Sequence, residues 1–110
     1  MRQAASGEIW DLHFPKWGRH PGLVFHAGPA DCWAALITES AHLERHVSWM
    51  LLPGKTDGHE ITGLIKESTL KPDKFENIKN DQLISYRGIV DPEVVKHTIY
   101  WASKLKKCEQ

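Results

Sequence analysis

The chain has 110 residues, 41% of them apolar, and its 14 Lys and Arg balance 14 Asp and Glu. That length holds one domain with a small core, and the composition is too apolar for a disordered chain. Zero net charge argues against an indiscriminate nucleic-acid binder, which would show a strong positive excess, but it leaves room for a local basic groove.

The first six residues, Met1 to Ser6, read as a short frayed arm. No run is long enough to span a bilayer and no charged-then-apolar leader is visible, so the sequence predicts a cytoplasmic protein without a membrane partner. A strand follows from Glu8 to Phe14, with Ile9, Leu12 and Phe14 apolar. A turn at Pro15-Lys16-Trp17-Gly18 comes next, and a second strand spans Gly22 to Ala27. Arg19 and His20 fall at the tip of this hairpin, where side chains are free to meet a ligand. Gly28-Pro29 separates the second strand from a third, Cys32 to Thr38, which runs into the polar cluster Thr38-Glu39-Ser40. A fourth strand is placed at His46 to Leu52, before a loop rich in turn formers from Pro53 to Gly58.

The next strand covers Ser68 to Lys71, meets an edge or bulge at Pro72, and resumes from Lys74 to Ile78. Asn80 caps a short turn, and a last strand runs from Ile84 to Ile89. Asp91-Pro92-Glu93 then opens a helix, with Asp91 as N-cap and Pro92 at the first helical position. Val95, Ile99 and Ala102 recur at helical spacing and are expected to face the sheet. Lys104, Lys106 and Lys107 close the helix. Short strands with one terminal helix predict a mainly β (α+β) fold, a small barrel or a strongly bent sheet. Cys32 and Cys108 are too few and too far apart for a disulfide framework. Five tryptophans are many for this length, and some are expected at an interface.

Gly7-Glu8-Ile9-Trp10, Arg19-His20-Pro21-Gly22-Leu23-Val24, Ala35-Leu36-Ile37-Thr38, Thr62-Gly63-Leu64, Ser68 through Asp73 to Ile78, and Asp81-Gln82-Leu83 with Gly88 stand in an order and spacing that resemble the MazF/PemK/Kid toxins. These are the ribonuclease half of bacterial toxin-antitoxin pairs. The resemblance covers nearly the whole chain, residues 1–110 as one toxin domain. It implies an SH3-like barrel of about five to seven strands with a C-terminal helix. It also implies metal-independent endoribonuclease activity on single-stranded mRNA that inhibits growth, with no cofactor, a cognate antitoxin and a homodimer.

Metal-free RNA cleavage needs a base for the 2′-hydroxyl, an acid for the leaving 5′-oxygen and stabilisation of the crowded phosphate. In the family, an Arg before the hairpin proline and a Thr ending the third strand carry the reaction. Thr38 matches the second. At the first, this chain has His20 before Pro21, with Arg19 one position earlier. The catalytic candidates are therefore Thr38, which matches the family, Arg19 and His20 where the chain departs from it, with His20 as acid or base and Arg19 on the phosphate, and Glu39, a base candidate from the polar cluster that follows the apolar run. Trp17, Ser40, Lys71 and Asp73 are the RNA-binding candidates, Trp17 as a stacking platform.

Each has a plainer reading. Arg19 and His20 can be solvated turn residues, Thr38 a good strand former, Glu39 an exposed charge, Lys71 an edge guard, and Trp17 a packed ring. His42 and His46 stand four apart but have no third ligand at metal spacing, so no metal site is expected. With His20 in place of Arg, a catalytically weak or inactive member of the same fold, binding nucleic acid or peptide, is the alternative.

Overall fold

The computed structural model describes residues 3–38, 49–51 and 68–108. Among these residues six strands, β1 (Glu8–Phe14), β2 (Gly18–Ala27), β3 (Asp31–Thr38), β4 (Trp49–Leu51), β5 (Ser68–Lys79) and β6 (Leu83–Ile89), form one antiparallel sheet. Helix α1 (Pro92–Cys108) follows the last strand. The spatial order is β4-β5-β3-β2-β1-β6. The mainly β architecture with a C-terminal helix is as the sequence predicts. Among the described residues β4 and β6 are edges that do not pair with each other, so this sheet is open rather than closed into a barrel.

Both faces of the sheet are buried, and strand alternation explains how. One face carries Ile9, Leu23, Phe25, Ala35, Ile37 and Leu70, covered by Val94 and Ala102 of α1. The other carries Trp10, Leu12, Phe14, Val24, Ala34, Leu36, Ile78 and Leu83, with Ala4 packed among them. Residues 3–6 are therefore docked rather than frayed. The Ala5 N–H donates to Glu8 Oε1 (2.8 Å) and the Ser6 hydroxyl to the Phe25 carbonyl (3.3 Å).

Three local readings shift. Gly18, at φ +79°, ends the hairpin turn early, so β2 starts four residues before the expected Gly22. The buried stripe of α1 is Val94, Thr98 and Ala102; of the residues expected to face the sheet, Ala102 is in the core and half-buried Val95 packs against it. Ile99 is 43% exposed, and Thr98 satisfies its buried hydroxyl on the Val94 carbonyl at 2.8 Å. Asn80 does not cap its 3₁₀ turn (Asn80–Gln82). Its side-chain amide donates to the Pro29 carbonyl at 3.2 Å, and Gln82 Oε1 accepts from the Lys79 N–H at 2.9 Å. Pro72 does sit in a bulge as predicted. Lys71 is opposite Leu36 and Phe75 is opposite Ala35, so residues 72–74 are extra on β5 and the missing Pro N–H costs no ladder bond there.

Gly22 positions the centre of the sheet. A Cβ at this residue would lie 2.9 Å from Phe14 Cζ, 3.2 Å from Leu12 Cδ2 and 3.3 Å from the Ala35 carbonyl. Only a residue without a side chain lets β1 and β3 close on β2 here.

Candidate active site

Arg19 and His20 lie inside the β2 ladder, not at a hairpin tip. Arg19 is opposite His13 and His20 opposite Leu12. Directly opposed residues of an antiparallel pair share a face. Leu12 is in the core on the side away from α1, so half-buried His20 is on that side, while Arg19 is exposed on the other with His13. The strand's period of two thus puts Arg19 and His20, expected to act together, on opposite faces of β2.

The register of the third strand points to His20 rather than Arg19. At this end the β2–β3 pairing runs to Gly22 opposite Leu36. Carried two residues further, that register sets His20 opposite Thr38. Leu36 belongs to the same core as Leu12, so Thr38, two residues on, shares the face of His20. On β5, Thr69 is opposite Thr38 and Lys71 opposite Leu36. Thus His20, Thr38, Thr69 and half-buried Lys71 gather on one face at one end of three strands. Thr38 Oγ1 is buried and has no hydrogen-bond partner among the described residues. Leaving such a hydroxyl unmatched costs about 1–3 kcal/mol, a penalty that singles out Thr38 as a candidate site residue.

The other candidates fall less neatly. Asp73 is in the β5 bulge, two residues past Lys71. Trp17 is half-buried and packs edge-on against Phe14, with ring centroids 5.5 Å apart, so it folds back on the sheet instead of presenting a bare platform. Glu39, Ser40, His42 and His46 lie outside the described residues. Among the described residues no group of three or more His, Cys, Asp or Glu is placed to hold a metal ion.

Two features escaped the sequence reading. Asp11 accepts from Arg87 Nη1 at 3.0 Å and from the Ser85 hydroxyl at 3.1 Å, tying β1 to β6. Both ion-pair side chains are less than one-fifth exposed. Partners 76 residues apart leave no local signal. Cys32 is buried, and burial, reinforced by the charge of Asp31, pushes its thiol up to about 11. It is a core residue rather than a nucleophile.

The fold has solved counterparts. A mycobacterial endoribonuclease in complex with its cognate antitoxin superposes with a TM-score of 0.66 at 17% identity, covering 94% of this chain and 95% of that one. A second mycobacterial endoribonuclease gives 0.67 at 15% identity, covering 97% and 94%. At such identities the likeness is one of fold. No protein-family model and no curated protein sequence matches the chain.

Proposed function

We propose that this protein is the toxin of a toxin-antitoxin pair, a single-domain cytoplasmic endoribonuclease that cleaves single-stranded mRNA without a metal and thereby inhibits growth. The observation that carries this reading is the orphaned Thr38 hydroxyl at the strand end that His20 and Lys71 share. The endoribonuclease fold of the two mycobacterial proteins supports it, and one of them is bound to its antitoxin. No helix among the described residues is long and apolar enough to cross a membrane.

In the proposed reaction the RNA 2′-hydroxyl loses its proton and attacks the adjacent phosphorus, and the 5′-oxygen leaves with a proton. His20 is the proton-transfer group, Thr38 donates to a phosphate oxygen, and Lys71 supplies the positive charge the family takes from arginine. Lys is a point charge without Arg's two-pronged grip, so phosphate positioning leans more on Thr38. The protein is also proposed to act as a homodimer: β6 is an edge strand that exposes Ile84, Tyr86 and Ile89, a face better covered than wet.

The test uses purified protein in EDTA with single-stranded RNA and with DNA of the same sequence. RNA is cut and DNA is not, because the attacking group is the 2′-hydroxyl. Loss of cutting in both Thr38→Ala and His20→Ala supports the site. An inactive wild type that still binds RNA moves the reading to a binding module of the same fold, the option His20 in place of arginine keeps open.

A further inference from the structure

At the opposite end of β2 and β3, on the side covered by α1, lies a cavity of about 280 Å³. It is lined by Phe25, His26, Trp33, Phe75, Ile99 and Ser103, with Ala102 at its base. Its rings are mutually edge-on: Phe25 and Phe75 have centroids 5.8 Å apart at 81°, and Trp33 and Phe75 6.0 Å apart at 61°. His26 and Ser103 are exposed polar groups on its rim.

The helix that borders this cavity carries its basic residues outside the lining itself. The chain as a whole is neutral, yet α1 carries four lysines against one glutamate. Lys96, Ile99 and Ser103 are spaced three and four apart, so an exposed lysine shares the stripe that borders the cavity. Lys104 adjoins Ser103, with its Nζ 5.5 Å from the Tyr100 ring centroid and 5.3 Å from that of Trp101. Aromatic rings interleaved with cations are what a single-stranded nucleic acid requires: flat apolar surfaces for its bases and charge for its backbone.

We infer that this cavity is a second nucleic-acid subsite, which takes one unstacked base of single-stranded RNA while the lysines of α1 meet the adjoining phosphates. The inference rests on the endoribonuclease reading for its choice of RNA. Trp33 precedes Thr38 by five residues on β3, about 17 Å along an extended strand, and lies on the opposite face. The subsite therefore holds flanking RNA away from the scissile phosphate and raises affinity for long strands without altering the chemistry. An acidic protein segment would meet the same lysines. The three rings inside the cavity favour a base, since every base has a face to stack.

The experiment measures binding of a labelled single-stranded DNA oligonucleotide about 20 nucleotides long, which lacks the 2′-hydroxyl needed for cleavage. In parallel it measures cleavage of a short RNA that spans only the candidate active site. Ser103→Glu puts a negative charge on the cavity rim at an exposed position and spares the core. It should weaken DNA binding about tenfold, the loss expected when one base is unstacked, and raise KM for long RNA. Cleavage of the short RNA should be unchanged. Lys96→Gln should lower the slope of log affinity against log salt by about 0.7, one phosphate's worth for a single strand. DNA binding unchanged in Ser103→Glu overturns the inference, even if RNA cleavage leaves the endoribonuclease reading intact. Binding of an alternating Glu-Leu peptide that is lost in Ser103→Glu, with no DNA binding in the wild type, overturns it in favour of a protein partner. DNA binding that Ser103→Glu removes supports the subsite even if no RNA is ever cut, in which case only the endoribonuclease reading falls.

Discussion

The two ends of the β2–β3 pair are built from the same two strands and finish in opposite chemistries. One end gathers His20, Thr38 and Lys71 on the face away from the helix. The other gathers Phe25, Trp33 and Phe75 under it. What differs is the cover. Helix α1 borders the aromatic end and forms one wall of its cavity, and at the polar end the threonine hydroxyl stays buried and unmatched. A strand's period of two decides which side chains share a face. The neighbouring elements decide whether that face becomes core or site.

The largest effect that can break this comparison is at the polar end. Thr38→Ala and His20→Ala should each lower RNA cleavage by a factor of about 100 or more, the loss expected for one preorganised donor or one proton-transfer group. His20→Gln should lose cleavage as His20→Ala does, because it keeps the size and polarity but transfers no proton. Cleavage at the wild-type rate in His20→Gln removes His20 from proton transfer and makes Glu39 the candidate base. Trp33→Ala, at the aromatic end, should lower stability and weaken binding of single-stranded DNA, because its ring packs on the core and lines the cavity.

Gly22 lies between the ends, and Gly22→Ala tests whether they form one rigid unit. Its methyl would press on Phe14 at 2.9 Å. The change should cost about 1–3 kcal/mol in urea unfolding, as overpacked cores do, and should cut activity along with stability. A variant as stable as wild type would show that β1 gives way more easily than the packing suggests.

A smaller effect separates the ends by pH. The Cys32 thiol sits at about 11 in the fold against an ordinary 9.0, because burial disfavours the thiolate. Below pH 9 both folded and unfolded chains keep the proton and stability is untouched. Between about 9 and 11 the unfolded chain loses it first, so stability declines with rising pH, by at most about 1.4 kcal/mol per unit. Cys32→Ala should lose this component of the decline. In a Cys108→Ser background, native protein should also resist alkylation at pH 8, and rapid labelling would show that the core on the face away from α1 opens.

The smallest effect is at Arg19. Exposed on the far face, its change to alanine should leave cleavage within about threefold, near the scale of ordinary surface substitutions. A hundredfold loss would mean that the reacting phosphate approaches from the helix side of the sheet.

Much of this was legible in the chain. Apolar alternation located β1 and β3, Pro72 marked the bulge, and Asp91-Pro92 placed the start of α1 within a residue. Thr38 stood out as a polar residue ending an apolar run. The pairing of Arg19 with His20 was misleading, because neighbours in sequence are strangers on a strand, and only the position of Gly18 reveals that both lie inside the ladder. Lys71 reached the face of His20 through the register of β5 on β3, which depends on residues 72–74 being extra. The aromatic cavity joins residues from β2, β3, β5 and α1, and no window of sequence contains it.

The pairing of β1 with β6 has a consequence for synthesis. Trp10 and Asp11 gain their partners, Tyr86, Ser85 and Arg87, only when the chain is more than three-quarters made. Until then β1 has one covered edge and one open edge, and contacts of such long range form slowly. A ribosome-bound fragment that stops before Leu83 holds both halves of the polar end, His20 and Thr38, on a sheet that cannot yet be finished. The free edge of β1 is covered late, with the arrival of the last strand.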